Sequence, residues 1–146
     1  MLLPRGMIVL VVDGARMLLL RNRGDATAPD LKVIDHRQYE PLPAHELASD
    51  APGISFTSGT PGRNTYDDGD PHGSEEARFI SAAADALDKA IEDEPNDVVV
   101  IAAPPSLGIL RTTYTPRIRS ALKAELDKDL TQLPVADITQ RLVDFE

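Results

Sequence analysis

A chain of 146 residues, 42% of them hydrophobic, is long enough for one globular domain with a buried core. Its lack of cysteine excludes a disulfide framework, thiolate metal ligands and a cysteine nucleophile or redox centre. Residues 1–6 do not lead from a basic start into a long apolar run, so neither a secretory leader nor a membrane span is expected, and a cytoplasmic location fits best.

The formal charge of −9 is unevenly placed. Residues 1–37 carry six basic and four acidic side chains, residues 38–97 three and fourteen, and residues 98–146 six of each. The middle third should repel a nucleic-acid backbone. RNA contact would therefore fall to Arg16, Arg21, Arg23, Lys32, Arg111, Arg117 and Arg119. Three Phe, three Tyr and no Trp leave few platforms for stacking bases.

In chain order, Met7–Val12 is a continuous apolar, largely β-branched run that stops at Asp13-Gly14, which predicts a strand covered on both faces and a tight turn. Residues 15–22 follow as its antiparallel hairpin partner. Residues 31–37 form a more polar strand, as an edge strand tends to be. Residues 41–73 hold Pro41, Pro43, Pro52, Gly53, Gly59, Pro61, Gly62, Gly69, Pro71 and Gly73 with little periodicity, which predicts a long flexible loop. Ser74 suits the cap of a helix with Glu75 and Glu76 in its first turn, followed by a stripe of Phe79, Ala82, Ala83, Ala86, Leu87, Ala90 and Ile91. After Pro95-Asn96-Asp97, residues 98–103 are a second fully apolar strand, reached by a helical crossover and so parallel to a central neighbour. A short helix over 104–111, another from Thr115-Pro116 to about Lys123, a brief strand over 125–130 and a helix over 133–142 complete the chain.

Four ordered segments carry a family likeness: Val11-Val12-Asp13-Gly14-Ala15-Arg16, Pro71-His72 through Arg78-Phe79, Ala103-Pro104-Pro105 through Arg111, and Lys128-Asp129-Leu130-Thr131-x-Leu133-Pro134-x-x-x-Ile138. Over roughly residues 5–145 the chain resembles the bacterial host attachment proteins, which look like divergent relatives of the middle domain of archaeal and eukaryotic peptide-chain release factors. The resemblance implies an α/β fold, a layered ribonuclease-H-like mixed sheet of about five strands in the order strand, strand, strand, helix, strand, helix, strand, helix. It also implies that residues 59–76 stand where release factors carry the Gly-Gly-Gln tip that enters the peptidyl-transferase centre. No Gly-Gly-Gln occurs in this sequence. Peptidyl-tRNA hydrolysis by that route needs glycine backbone to place an amide beside the attacking water, so a non-catalytic binding module is expected.

The candidate binding loop comprises Arg63, Asn64, Tyr66, His72, Glu75 and Arg78, with a ribosomal or tRNA surface as partner. His72 is a solvated loop histidine or a catalytic one beside a helix start, and Arg78 is alternatively paired with an acid such as Glu75. A candidate anion site lies at Ser106, Leu107, Gly108 and Arg111, where backbone N–H groups open a helix after a buried strand. Packing accounts for the same residues, with Gly108 allowing close approach, and Arg111 alternatively pairs with Lys128-Asp129. Asp13 reads either as a hairpin residue or as one acid of a metal-dependent nuclease, the enzymatic alternative. Asn64, Asp68, Gly69 and Glu75 match part of a calcium-loop spacing, but Tyr66 breaks it. His36, His45 and His72 share no ligand spacing. No metal, cofactor or membrane contact is expected, and a homodimer through the edge strand is a third possibility.

Overall fold

The computed structural model describes residues 1–39 and 71–145, with side chains from Glu75 onward in the second stretch. The elements are β1 (Ile8–Val12), β2 (Arg16–Asn22), β3 (Leu31–Gln38), α1 (Pro71–Asp93), β4 (Val98–Ala102), α2 (Pro104–Arg111), α3 (Pro116–Ala121), β5 (Leu122–Leu126) and α4 (Val135–Asp144). They form a five-stranded sheet in the order β3-β2-β1-β4-β5. β1 runs antiparallel to β2 and parallel to β4, β2 runs antiparallel to β3, and β4 runs parallel to β5. This is the expected mixed α/β sheet with flanking helices.

All five residues of β1 and all five of β4 are buried, because helices cover both faces of the sheet centre. Ile8, Leu10, Val12, Val98, Val100 and Ala102 face the layer of α1, α2 and α3. Val9, Val11, Val99 and Ile101 face the other way, against Leu126, Leu130 and the Ile138 and Leu142 stripe of α4. On α1 the fully buried residues are Ile80, Ala83, Ala84 and Leu87, so the inner stripe is rotated from the expected one: Ile80 and Ala84 point in, and Phe79 and Ala82 are only half-buried.

Two boundaries differ from expectation. The long helix starts at Pro71, three residues before Ser74, since proline is already set for the first helical position. β5 occupies Leu122–Leu126 instead of residues 125–130, and α3 ends at Ala121 instead of about Lys123. The 122–126 stretch has helix-forming residues, but pairing Val98–Ile101 with Leu122–Leu126 covers the open edge of β4. No helix among the described residues is long and apolar enough to cross a membrane.

Candidate site at the carboxyl edge of the sheet

β1 and β4 lie side by side and parallel, yet their outgoing connections diverge, to β2 on one side and through α2 toward β5 on the other. Such a divergence opens a crevice beyond the carboxyl ends of the strands. A cleft of about 460 Å³ lies there, lined by Asp13, Gly14, Glu76, Ala103, Ser106 and Asp129 among others. The described residues on either side of the segment between β3 and α1 both meet the turn beside this cleft. Tyr39 donates its N–H to Ala15 O at 2.7 Å just after β3, and Glu76 near the start of α1 lies so close over Gly14 that a Cβ there would overlap its carboxylate.

Asp13 organises the turn. Its Oδ1 accepts from the backbone N–H of Ala15 and of Arg16, each at 2.7 Å, which is the hairpin role expected of an Asp-Gly pair. Its Oδ2 accepts from Thr131 Oγ1 at 2.8 Å, and the same hydroxyl lies 2.9 Å from Asp129 Oδ1. One hydroxyl proton thus serves two carboxylate oxygens. Arg16 Nη1 donates to Gln132 Oε1 at 2.7 Å, a second tie between the turn and the strand-to-helix connection after β5. Asp13 is therefore not isolated from other acids. Among the described residues, however, no group of three acids or histidines is arranged to hold a metal ion, and both Asp13 oxygens already have protein donors. These residues do not fit a two-metal nuclease centre.

The expected site residues separate into three groups. Arg63, Asn64 and Tyr66 lie outside the described residues, as do His45 and Asp68 and Gly69 of the calcium-like spacing. His72 falls in the first turn of α1, while Glu75 is half-buried and Arg78 exposed in the second; Glu76, not Glu75, borders the cleft. Ser106 and Leu107 are buried at the start of α2, and Gly108 is exposed with no atom within 4 Å of where a Cβ would stand, so it serves no close approach. Pro104 and Pro105 supply no N–H, and that of Leu107 is taken by Ala103 O at 2.8 Å. An anion at this end would meet few donors and the Asp13 and Glu76 carboxylates.

Arg111 stands at the far end of α2. Instead of pairing with Asp129, it grips Glu125 through Nη2 at 2.6 Å and Nε at 3.1 Å, and Tyr114 donates its hydroxyl to the other Glu125 oxygen at 2.7 Å. The hydrogen bonds from Arg111 hold the Glu125 carboxyl below its usual range, against the opposing effect of partial burial, with help from Tyr114. Burial, then the bond to Glu125, pushes the Tyr114 hydroxyl well above its ordinary value. A carboxyl whose folded pKa is depressed contributes stability that is complete above its unfolded pKa and lost as pH falls through the folded one. Glu125→Gln is therefore expected to flatten the acid limb of a urea stability profile below about pH 4.5, where the unfolded carboxyl titrates, at the cost of lower stability at neutral pH.

Most of the basic residues expected to meet RNA are engaged with groups of the protein itself. Arg21 is buried, Arg23 lies 3.6 Å from Glu94, Lys32 lies 3.6 Å from Asp30, and Arg117 lies 2.7 Å from Asp88. Arg111 pairs with Glu125 and Arg16 donates to Gln132, and where Arg21 and Arg23 come together with Arg37 and Lys89 the same pocket also holds Asp35, Asp93 and Glu94.

The Thr131 link is not legible in the sequence, because it joins residues 118 apart in the chain. The sole hint is the Lys128–Ile138 motif, whose polar members stand out from the surrounding packing residues. A comparison with curated proteins finds no match. A family model does match residues 6–142, nearly the whole chain, and its description agrees with the release-factor part of the sequence resemblance. On that match the chain belongs to bacterial archaeo-eukaryotic release factor family 12.

Proposed function

We propose that this protein is a non-catalytic, release-factor-related binding module that docks on the ribosome through the segment between β3 and α1. One observation carries the reading: the chain belongs to a release-factor family, yet its sequence holds no Gly-Gly-Gln, and the described residues on either side of the segment, Tyr39 and Glu76, both meet the turn between β1 and β2. Without the two glycines no backbone amide can be brought beside an attacking water in the release-factor manner, which removes the chemistry and leaves the docking. Glu75, Arg78 and His72 begin the helix that follows the segment, and Arg63, Asn64 and Tyr66 lie within it.

Charge narrows the surface it would meet. Residues 38–97 carry fourteen acidic and three basic side chains, which suits a basic ribosomal protein better than tRNA or bare ribosomal RNA. Co-sedimentation with bacterial ribosomes is the test. Binding is expected at low salt, lost on deleting residues 45–68, and weakened less than about tenfold between 50 and 200 mM salt, because few phosphates are neutralised. A steep salt dependence with equal binding to free tRNA would replace the protein surface by an RNA one. No pelleting with ribosomes at any salt would overturn the proposal.

A further inference from the structure

β3 is the edge of the sheet, and among the described residues nothing pairs with its outer side. In a regular strand Lys32 and Asp35, three apart, would point to opposite faces. A bulge changes this: Lys32 pairs with Arg21, Val33 with Leu20 and Asp35 with Leu19, so Ile34 is the inserted residue. Leu19 packs in the α1 layer and Arg21 bonds to α1 carbonyls, which places Lys32 and Asp35 on that one face. Same-face ion pairs extend the row, Lys32 to Asp30 at 3.6 Å and Arg37 to Asp35 at 3.2 Å. The outcome is a line of alternating sign, Asp30, Lys32, Asp35, Arg37, with Val33 and Ile34 at its middle, 42% and 39% exposed.

A line of alternating charge is complementary to its own reverse. We infer that a second copy of this chain pairs antiparallel along β3, about a two-fold axis through Val33, joining the two sheets into one. In this register, with Ile34 the bulged residue of each strand, Lys32 faces Asp35 of the second copy, Asp30 faces Arg37 and Val33 faces Val33. All four charge pairs are attractive and all lie on the α1 side. Sliding the second copy to the next same-face register sets Asp against Asp and Lys against Lys, so the pattern also rejects the neighbouring alignment. Edge strands are commonly protected by charges of one sign; here the alternation invites one partner and one register.

The test is the solution mass of the full chain by light scattering from about 1 μM to 1 mM. A dimer is expected at the upper end. Lys32→Glu turns two attractive cross-chain pairs repulsive and is expected to raise the dimer dissociation constant about tenfold, and adding Asp35→Lys restores most of it. The chain lacks cysteine, so Val33→Cys, which faces its own counterpart, should yield a disulfide-linked dimer on mild oxidation, whereas Gln38→Cys, far from its own counterpart in this register, should not. These exposed positions leave folding intact, which the urea midpoint of each variant verifies. A monomer at every concentration, with the edge covered from within the chain, overturns the inference. So does a dimer indifferent to Lys32→Glu, or one not rescued by the double exchange.

Discussion

Arg21→Met is expected to destabilise the protein by about 3 kcal/mol, seen as a lower urea midpoint with unchanged slope and a melting temperature lower by about 10 °C. Arg21 ends the apolar run of β2 and is almost fully buried. Its guanidinium donates to Gly6 O at 2.9 Å, Glu94 O at 3.1 Å and Ala90 O at 3.1 Å. Glu94 O lies past the last turn of α1, where no helical N–H reaches it, and Ala90 O takes the guanidinium as a second donor beside the Glu94 N–H at 3.1 Å, so one side chain of β2 closes the helix and ties it to the turn before β1. Burial lowers the Arg21 pKa and the Glu94 carboxylate opposes that, but an arginine stays charged throughout. Methionine fills similar volume but removes the donor to the Gly6 and Glu94 carbonyls and the second donor to Ala90 O. Arg21→Lys should recover about half the loss, because an ammonium cannot span the fork that a guanidinium reaches. Glu94→Ala should cost under about 1 kcal/mol, since that carboxylate lies 3.7 Å away with a side chain 54% exposed. If Glu94→Ala cost as much as Arg21→Met, the ion pair and not the carbonyl bonds would be responsible.

The neighbouring residue has the second large effect. Asn22→Asp is expected to cost about 3 kcal/mol at neutral pH and less below about pH 4, where the introduced carboxyl is protonated and can donate. Asn22 has no exposure and uses its whole amide. Its Nδ2 donates to Leu3 O at 2.7 Å and Pro4 O at 3.2 Å, and its Oδ1 accepts from Gly24 N at 2.9 Å and Asp30 N at 2.8 Å. A carboxylate keeps the accepting half and turns the donating half into a charge facing two carbonyl oxygens. Asn22→Ala should lose about 2 kcal/mol at every pH, which separates the charge effect from the loss of the bonds. Equal stability profiles for the two variants across the acid range would show that the buried charge contributes nothing.

Both residues illustrate what single-sequence reading passes over. Arg21 and Asn22 follow an apolar strand and look like its polar exit, which is why the sequence points Arg21 toward RNA contact. Burial depends on what packs above a residue, here the end of α1 and the turn at Gly6, which are distant in the chain. The same holds at the carboxyl edge. Asp13 is legible as a turn residue from its pairing with Gly14, but Thr131, Asp129 and Glu76 reach it only through folding. Arg111 looks available to Asp129 in the sequence, whereas β5 starting at Leu122 sets Glu125 within its reach instead.

The sequence by itself determined which stretches become central strands and helices, because an unbroken apolar run such as Met7–Val12 or Val98–Ala102 has nowhere to go but between two layers, and the α1 periodicity must lay one face on that sheet. It also settled the absence of the Gly-Gly-Gln tripeptide, a matter of composition alone. Only the tertiary structure decided the strand order, the start of β5, the bulge at Ile34 that aligns four charges on one face, and the burial of Arg21 and Asn22. Each of these depends on contacts between residues far apart in the chain, and local periodicity carries no information about which distant group will supply the missing hydrogen bond or cover the open edge.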